Sequence, residues 1–212
     1  MNIESSRTSY ERGQLLESTV HPDPVVQLRV WLDEAFADRQ TLDPNAMCLS
    51  TVDAFAQPSA RIVLLRGLDS RGLAFFTSYS SRKGEEIAAN PLVAATFFWL
   101  ALQRQVRVEG RATQLSDEES DAYFASRPAG HQLSAWASEQ SRPIESRTVL
   151  EERIEHFAAR FEGEEIPRPH SWGGYVIAPH RFEFWQGRSN RMHDRLEYRR
   201  EGASWTIVRL QP

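Results

Sequence analysis

The sequence predicts an α+β fold in which peripheral helices surround a barrel-like antiparallel sheet. Short segments with strand composition and turn signals between them follow one another over 46–114 and again over 172–210. Stretches with helical spacing lie before and between these two groups and do not alternate with single strands. This order argues against a doubly wound parallel sheet.

The first half of the chain contains two predicted helices and five predicted strands. Residues 1–20 are polar and predict a flexible N-terminal arm, followed by a single domain over 21–212. Asp23 and Pro24 are typical of a helix start, and the apolar spacing after them predicts a helix over 24–38. A short helix over 82–89 ends at Asn90-Pro91. The predicted strands are 46–52, 59–67, 73–78, 92–100 and 104–114.

The second half begins with helices and ends with strands. Ser116 and Glu119 form a capping-box pattern that predicts a helix to about residue 126. Residues 129–144 indicate a loop or a short helix, and 145–162 predict a longer helix. The predicted strands of this half are 172–178, 181–187, 193–200 and 205–210.

Composition excludes several classes of protein and site. The net charge is −4, which argues against a general nucleic-acid binder. The one cysteine, Cys48, excludes an intrachain disulfide and a cysteine-based metal centre, and its apolar neighbours predict a buried thiol. No metal site and no phosphate-loop or dinucleotide fingerprint is present in the sequence. The longest apolar run, 92–102, is too short to span a bilayer, and the first residues lack a secretory signal, so we expect a cytoplasmic protein.

Positive charge is concentrated in two stretches, so an anion site would have to be built locally. Residues 61–83 carry five basic side chains and one acid, and 181–200 carry six arginines and three acids. Arg61 and Arg66 are five apart, so we expect them on opposite faces of a strand. Of the 25 basic residues, 24 are arginine, and the single lysine is Lys83.

Three groups of residues are candidates for binding an anionic ring. Ser81, Arg82 and Lys83 precede a helix N-terminus, where a phosphate is favoured, although an ordinary basic loop would have the same composition. Tyr123, Arg127 and His131 could hold a second phosphate or could be a helix C-terminus with favourable cations. Residues 182–195, FEFWQGRSNRMHDR, combine aromatic rings with arginines and a histidine. The alternative for that stretch is a solvated arginine-rich hairpin.

The order of eight motifs strongly resembles the pyridoxine/pyridoxamine 5′-phosphate oxidase family over nearly the whole chain. The motifs are RIVLLR (61–66), FFTSYSSRKG (75–84), RQVRVEG (104–110), YFASRP (123–128), QLSAWASEQS (132–141), WGGY (172–175), EFWQGRSNRMHDR (183–195) and the terminal RLQP. The resemblance implies an FMN-binding split β-barrel, antiparallel and Greek-key-like, that works as a homodimer with FMN at the subunit interface. It implies oxidation of pyridoxine or pyridoxamine 5′-phosphate to pyridoxal 5′-phosphate, with hydride passing from C4′ to flavin N5 and O2 reduced to hydrogen peroxide.

The resemblance also implies roles for individual residues, some of them contributed by the partner chain. Arg191 and His193 match the catalytic residues over the substrate ring. The matches to substrate contacts are Arg7, Tyr10, Arg66, Tyr123, Arg127, His131, Arg191 and His193. The matches to flavin contacts are Arg61, Ile62, Val63, Leu64, Leu65, Arg66, Phe76, Thr77, Ser81, Arg82, Lys83, Gln105, Gln140, Ser141, Trp185 and Arg195.

Three positions depart from the family pattern, which often has Lys at 66, Tyr at 76 and Ser at 131, where this chain has Arg66, Phe76 and His131. An arginine keeps the charge but changes the shape of a phosphate contact. Two other functions remain open at this point. One is a related flavin oxidase of the phenazine-biosynthesis type, and the other is a non-catalytic protein that binds flavin or pyridoxal phosphate.

Overall fold

A computed structural model describes residues 9–212. The strands are β1 (Ala46–Val52), β2 (Pro58–Leu64), β3 (Gly67–Asp69), β4 (Gly72–Ser78), β5 (Leu92–Trp99), β6 (Arg104–Gln114), β7 (Trp172–Gln186), β8 (Asp194–Glu201) and β9 (Ser204–Arg209). The helices are α1 (Pro24–Ala37), α2 (Arg82–Ala89), α3 (Asp117–Ala125), α4 (Ala129–Ala137) and α5 (Arg147–Arg160), with 3-10 turns at Leu100–Leu102 and Ser189–Arg191.

All the strands belong to one antiparallel sheet that curls into a half-barrel. The order is β2-β1-β5-β6-β7-β4-β3, and β8 and β9 continue the sheet from β7. β7 is long enough to pair with β4 through its first half and with β8 through its second half, while β6 runs along nearly its whole length. The predicted α+β class and antiparallel sheet are confirmed.

Local sequence signals set the helix starts as predicted. The Asp23 side chain accepts a hydrogen bond from the Val25 amide at 2.8 Å, and Pro24 is the first residue of α1. The Ser116–Glu119 capping box is formed in both directions at the start of α3. Residues 129–144 contain the helix α4, so the short-helix alternative is the one observed.

Three predictions about the strands were wrong in detail. The strand predicted over 59–67 ends at Leu64, so Arg66 lies between β2 and β3 and is not on the opposite face of one strand from Arg61. The two strands predicted over 172–178 and 181–187 are one strand, because a register shift at Glu109/Gly110 of β6 lets β7 continue past Pro179. Cys48 is only half-buried, because it lies on the face of β1 that does not meet the core.

One hydrophobic core fills the concave side of the sheet. Phe75, Phe97, Phe182 and Phe184 are fully buried there, and α1 covers them with Trp31, whose ring meets Phe184 edge-on at 5.1 Å. Of the predicted arm, the described residues 9–20 lie against this domain, and Leu15 is part of the core at 3% exposure. None of the helices described between residues 9 and 212 has the length and apolar character needed to cross a bilayer.

A buried carboxylate holds α2 against the sheet. Glu86 is 4% exposed and accepts hydrogen bonds from Ser59 at 2.7 Å, Arg82 at 2.8 Å, Arg61 at 3.1 Å and the Thr51 hydroxyl. Burial alone would raise the pKa of Glu86, but these donors lower it to about 2. The helix also approaches the chain closely at Gly84, where a Cβ would lie 2.1 Å from the Tyr79 carbonyl oxygen.

We predict that Glu86→Gln lowers the free energy of unfolding by about 3 kcal/mol at pH 7, because it leaves Arg61 and Arg82 without their charged acceptor. The folded pKa lies below the ordinary value of 4.5, so this stabilisation is complete above pH 4.5 and is lost as the pH falls towards 2. Urea unfolding at fixed protein concentration should therefore show a difference in unfolding free energy that is constant above pH 4.5 and becomes smaller as the pH falls from 4.5 towards 2. Glu85→Gln, on the exposed side of the same helix, is the control, and an equal loss in both variants would contradict the prediction.

Candidate functional site

A cleft of about 640 Å³ opens beside β2, β4 and the first residues of β7, with α2, α3 and α4 at its edges. Its walls combine aliphatic and aromatic side chains with cations and hydroxyl or amide groups. The lining residues are Ile62, Val63, Leu64, Arg66, Phe76, Thr77, Lys83, Tyr123, Ser126, Arg127, Pro128, His131, Gln140 and Trp172.

Lys83 is the most confined cation of the cleft. Its Nζ donates to Thr77 Oγ1 at 3.0 Å, Ser81 Oγ at 3.2 Å and Gln140 Oε1 at 2.8 Å, all of them neutral acceptors. Burial and the nearby charge of Arg61 lower the pKa of Lys83 to about 8, although Glu86 acts in the opposite direction. A buried ammonium held only by neutral groups is a site that an anion would stabilise.

A stack of aromatic rings forms another part of the cleft lining. Phe76 and Tyr123 are parallel with centroids 3.7 Å apart, and Trp172 continues the stack at 5.7 Å from Phe76. The Arg127 guanidinium lies over the Trp172 ring at 4.6 Å. Its Nη1 is buried and has no hydrogen-bond partner among the described residues. An unpaired buried donor of this kind points to a ligand that accepts a hydrogen bond.

Positive charge in the cleft is therefore not neutralised by the described part of the chain. Arg66, Lys83 and Arg127 form no ion pair there, and burial together with the charge of Arg66 lowers the pKa of Arg127. Several arginines outside the cleft are paired with carboxylates, as Arg61 is with Glu86 and Arg195 is with Glu183. Three uncompensated cations beside an aromatic wall suit ligands that carry a phosphate on a flat ring.

A second cluster lies at the β7–β8 connection and contains Tyr10, Trp185 and His193. The rings of Trp185 and His193 are 4.7 Å apart, and Tyr10 lies 5.8 Å from Trp185 and 5.9 Å from His193. The Arg188 amide donates to His193 Nδ1 at 3.1 Å, so the proton of the neutral ring is on Nε2. Burial and the neighbouring Arg191 lower the pKa of His193, which favours this neutral form.

The sheet brings a row of three predicted flavin contacts together. Gln105 on β6 is opposite Trp185 on β7, which is opposite Arg195 on β8. Directly opposed residues of antiparallel strands project from the same face, so these side chains form one surface. Glu183 orients Arg195 through hydrogen bonds of 2.9 and 3.0 Å.

Within one subunit, most of the predicted site residues lie at one of two separate locations, the cleft and the cluster at the β7–β8 connection. Those that line the cleft are Ile62, Val63, Leu64, Arg66, Phe76, Thr77, Lys83, Tyr123, Arg127, His131 and Gln140. Those at the second cluster or in the row beside it are Tyr10, Gln105, Trp185, Arg191, His193 and Arg195.

The remaining predicted residues have other contacts or lie outside the description. Arg61 and Arg82 bind Glu86 and do not line the cleft. Ser81 caps α2, and Leu65 is 7% exposed in the core. Ser141, next to Gln140, has a left-handed backbone with φ 74°. Arg7 lies outside the described residues.

Three cleft residues were not among the predicted site residues, namely Ser126, Pro128 and Trp172, and Trp172 has the largest role of the three. It ends the aromatic stack and supports Arg127, yet in the sequence it is only the first letter of WGGY. The two glycines after it were the available signal. A Cβ at Gly173 would lie 2.0 Å from the Tyr79 hydroxyl oxygen, and one at Gly174 would lie 2.8 Å from a Phe76 ring carbon. Close packing at this point fixes the tryptophan at the mouth of the cleft.

Two family models match consecutive parts of the chain. The model described as pyridoxamine 5′-phosphate oxidase matches residues 32–161. The model described as the pyridoxine 5′-phosphate oxidase C-terminal dimerisation region matches residues 172–212, which supports a homodimer.

Curated relatives are similar over their full lengths. A pyridoxine/pyridoxamine 5′-phosphate oxidase of Cupriavidus taiwanensis is 56% identical over 207 residues, 97% of each chain. One of Bordetella avium is 55% identical over 213 residues and covers 100% of both chains. One of Rubrobacter xylanophilus is 55% identical over 97% of this chain and 94% of its own.

Solved structures share the fold. PhzG of Burkholderia lata 383, in complex with tetrahydrophenazine-1-carboxylic acid, superposes with a TM-score of 0.87 at 30% identity, covering 93% of this chain and 98% of its own. A pyridoxamine 5′-phosphate oxidase-related, FMN-binding protein of Nostoc punctiforme has a TM-score of 0.71 at 18% identity over 87% and 97% of the two chains. With both family models in sequence order and relatives above 50% identity from end to end, the chain belongs to the pyridoxine/pyridoxamine 5′-phosphate oxidase family.

Proposed function

We propose that this protein is an FMN-dependent oxidase that converts pyridoxine 5′-phosphate and pyridoxamine 5′-phosphate to pyridoxal 5′-phosphate, with O2 reduced to hydrogen peroxide. With the amine substrate, water supplies the aldehyde oxygen and ammonia leaves. The observation that carries the proposal is the cleft in which Arg66, Lys83 and Arg127 lie beside an aromatic stack and have no carboxylate partner among residues 9–212. Cofactor and substrate are each a ring that bears one phosphate, so two separate cation groups are what this chemistry requires.

The cleft residues fit FMN on their own chemistry. Lys83, Thr77 and Gln140 form a connected polar group in which Thr77 Oγ1 donates to Gln140 Oε1 at 2.9 Å. A phosphate oxygen there would accept from the ammonium and relieve its burial cost. Aliphatic side chains of β2, among them Ile62 and Leu64, would border the flavin rings. Bound FMN supplies the two-electron acceptor for the oxidation.

The other end of the cleft fits the substrate phosphate. Arg127 offers its unpartnered Nη1, Tyr123 contributes a hydroxyl, and His131 lies in the first turn of α4. The histidine at 131 can donate to an anion, so this departure from the family pattern keeps a hydrogen-bond donor at the position. Holding the phosphate fixes where the ring lies, which is the main contribution of such contacts to catalysis.

The site we propose is completed by the partner chain. Residues Gln105, Trp185, Arg191, His193 and Arg195 do not line the cleft of their own subunit. Four of them lie in the segment that matches the family's dimerisation region, 172–212. Gln105, Trp185 and Arg195 lie on one face of the sheet. A dimer that covers this face would bring these residues to the partner's cleft, and FMN would lie at the interface. Ile62 and Phe98 on that face are 65% and 55% exposed, which is apolar surface that a partner would bury.

Arg191 and His193 then act on the substrate ring as hydrogen-bond donors. Arginine stays charged and has no acceptor, so Arg191 stabilises negative charge on the ring oxygen during the reaction. His193 presents Nε2–H because its Nδ1 already accepts from the Arg188 amide. Neither side chain is arranged to accept a proton in the neutral state.

A second candidate function is oxidation of a reduced tricyclic acid, since the structure of PhzG in complex with tetrahydrophenazine-1-carboxylic acid superposes at a TM-score of 0.87. The unpaired Arg127 favours the first function, because a phosphate cradle has no role with a substrate that lacks a phosphate. The relatives at 55–56% identity point the same way.

The proposed function is tested by turnover of the FMN-loaded protein in air. Pyridoxine 5′-phosphate and pyridoxamine 5′-phosphate are offered separately, and pyridoxal 5′-phosphate and hydrogen peroxide are measured together. Equal amounts of the two products support the reaction. No product from either phosphate, with turnover of a reduced phenazine acid, would replace the proposal with the second function.

We predict that FMN binding weakens above about pH 8, because the pKa of Lys83 is lowered to about 8 by burial and by Arg61. Phosphate needs the protonated ammonium, so affinity is constant below this pH and falls by up to about tenfold per unit above it. Fluorescence titration between pH 7 and 9.5 measures the dissociation constant. Lys83→Arg, which stays charged, should remove the dependence, whereas a wild-type affinity independent of pH would contradict the assignment.

We predict that Arg191→Ala lowers kcat by roughly 100- to 1,000-fold while FMN affinity stays within about twofold, because the lost donor acts on the reacting ring. Steady-state kinetics and flavin fluorescence provide the two measurements. Arg191→Lys keeps the charge without the fork and should retain part of the activity. Unchanged kcat in the alanine variant would show that Arg191 has no catalytic role.

A further inference from the structure

Arg209, the last residue of β9, uses two of its guanidinium nitrogens to bind the N-terminal segment and the third to bind Asp194. Nε and Nη2 meet the two carboxylate oxygens of Glu17 at 2.8 Å each, and Nη2 also donates to the Leu15 carbonyl oxygen at 2.8 Å. Nη1 donates to Asp194 Oδ1 at 2.8 Å. The contact with Arg209 lowers the pKa of Glu17 to about 2, so the pair is charged throughout the neutral range.

Asp194 joins the same segment to the loop that carries the catalytic residues. Its Oδ2 accepts from the Leu15 amide at 3.1 Å, so Leu15 is held through both its N–H and its C=O by the Asp194–Arg209 pair. Asp194 directly follows His193 in the chain. A carboxylate anchored in this way fixes the position at which the loop enters β8.

Arg188 makes the corresponding link at the other end of the loop. Its Nη1 donates to the Gly13 carbonyl oxygen at 3.0 Å, and its Nε lies 3.8 Å from Asp194 Oδ2. Its backbone amide is the donor to His193 Nδ1. The orientation and tautomer of His193 therefore depend on a residue whose side chain is fixed to the N-terminal segment.

Tyr10 is placed by the same contacts. Tyr10 precedes Gly13 by three residues, and its ring lies against Gly187, where a Cβ would be 2.8 Å from Tyr10 Cγ. The centroid of the Tyr10 ring is 5.9 Å from that of the His193 ring. Since Gly187 begins the loop, its lack of a side chain allows the tyrosine to approach.

We propose that Arg188, Asp194 and Arg209, which we call the clamp, are positioning residues that couple the N-terminal segment to the geometry of Arg191 and His193. The inference rests on the proposed function for its kinetic consequence only. Single exposed ion pairs contribute little to stability. The arrangement is instead suited to precise positioning, because two guanidinium groups and one carboxylate connect the N-terminal segment, the β7–β8 loop and β9 near the residues that act on the substrate.

The experiment uses the full-length, FMN-loaded protein and the variant Arg209→Met, which keeps the apolar stem. Arg71→Met is the matched control, since Arg71 also joins two carboxylates, Asp69 and Glu119, but lies at the β3–β4 turn. Three readouts are compared: tryptic cleavage after Arg12, the nitrogen NMR signal of His193 Nδ1, and the kinetic constants. Arg209→Lys tests whether the charge alone restores the wild-type values.

The clamp predicts faster cleavage after Arg12, a shifted His193 signal and a kcat/KM lower by roughly tenfold in Arg209→Met, with FMN affinity changed by less than about threefold. In a Tyr10→Ala background the same substitution should cost less, because the two residues act through one segment. Arg71→Met should leave all three readouts at their wild-type values.

Each other result overturns part or all of the inference. Unchanged cleavage would show that Arg209 does not hold the segment. Faster cleavage with an unchanged His193 signal and unchanged kcat/KM would show that the contact is structural and does not position the loop. If the wild type oxidised neither B6 phosphate, the proposed function would fail, and the cleavage and His193 signals would still decide whether the clamp exists.

Discussion

Uncompensated positive charge in a partly buried cleft is the constraint on which the rest of the site depends. The chain as a whole is acidic, with a net charge of −4. Yet among the described residues Lys83 donates hydrogen bonds only to neutral groups, and Arg127 Nη1 has no hydrogen-bond partner. Burying such groups is unfavourable unless an anion joins them. The free-energy cost of burying these cations is offset by the packing of β4, α2 and β7, which close glycine contacts and the hydrogen bonds of Glu86 hold together. A phosphate bound in the cleft would offset the cost of burying these charges, and this favours its binding.

Because of this constraint, some arginines near the cleft are paired with a carboxylate of the protein and others are left for a ligand. Arg61 and Arg82 are paired with Glu86 on α2, whereas Arg66 lies past the end of β2 and has no ion pair with any residue of 9–212. Residues of one short motif thus have different tasks. A motif match assigns them all to the cofactor, whereas the contacts show that Arg61 and Arg82 also bind a carboxylate of the protein.

Sequence reasoning predicted α1, β1 and α2 almost to the residue, because each has a local signal such as Asp23-Pro24 or the Asn90-Pro91 stop. Sequence reasoning failed where a segment far away in the sequence determines the structure of a residue or strand. β7 continues past Pro179 because β6 supplies a bulge, and Trp172 joins the cleft because Phe76 and Tyr123 come to it from other elements. The cations were visible as a cluster in the sequence. Which of them lack carboxylate partners could not be seen without the fold.

The backbone hydrogen bond to His193 limits what the second cluster can do in the proposed reaction. With Nδ1 occupied by the Arg188 amide, protonating the ring would cost that bond, and burial together with Arg191 already lowers its pKa. Arg191 cannot accept a proton at all. In the proposed reaction both residues would therefore act as hydrogen-bond donors to developing negative charge, and the cofactor would accept the electrons. If the β7–β8 loop acts through the two donors Arg191 and His193, the rate depends on where these side chains lie more than on their pKa. The hydrogen bonds that join the loop to the N-terminal segment and to β9 would then affect the rate by fixing that position.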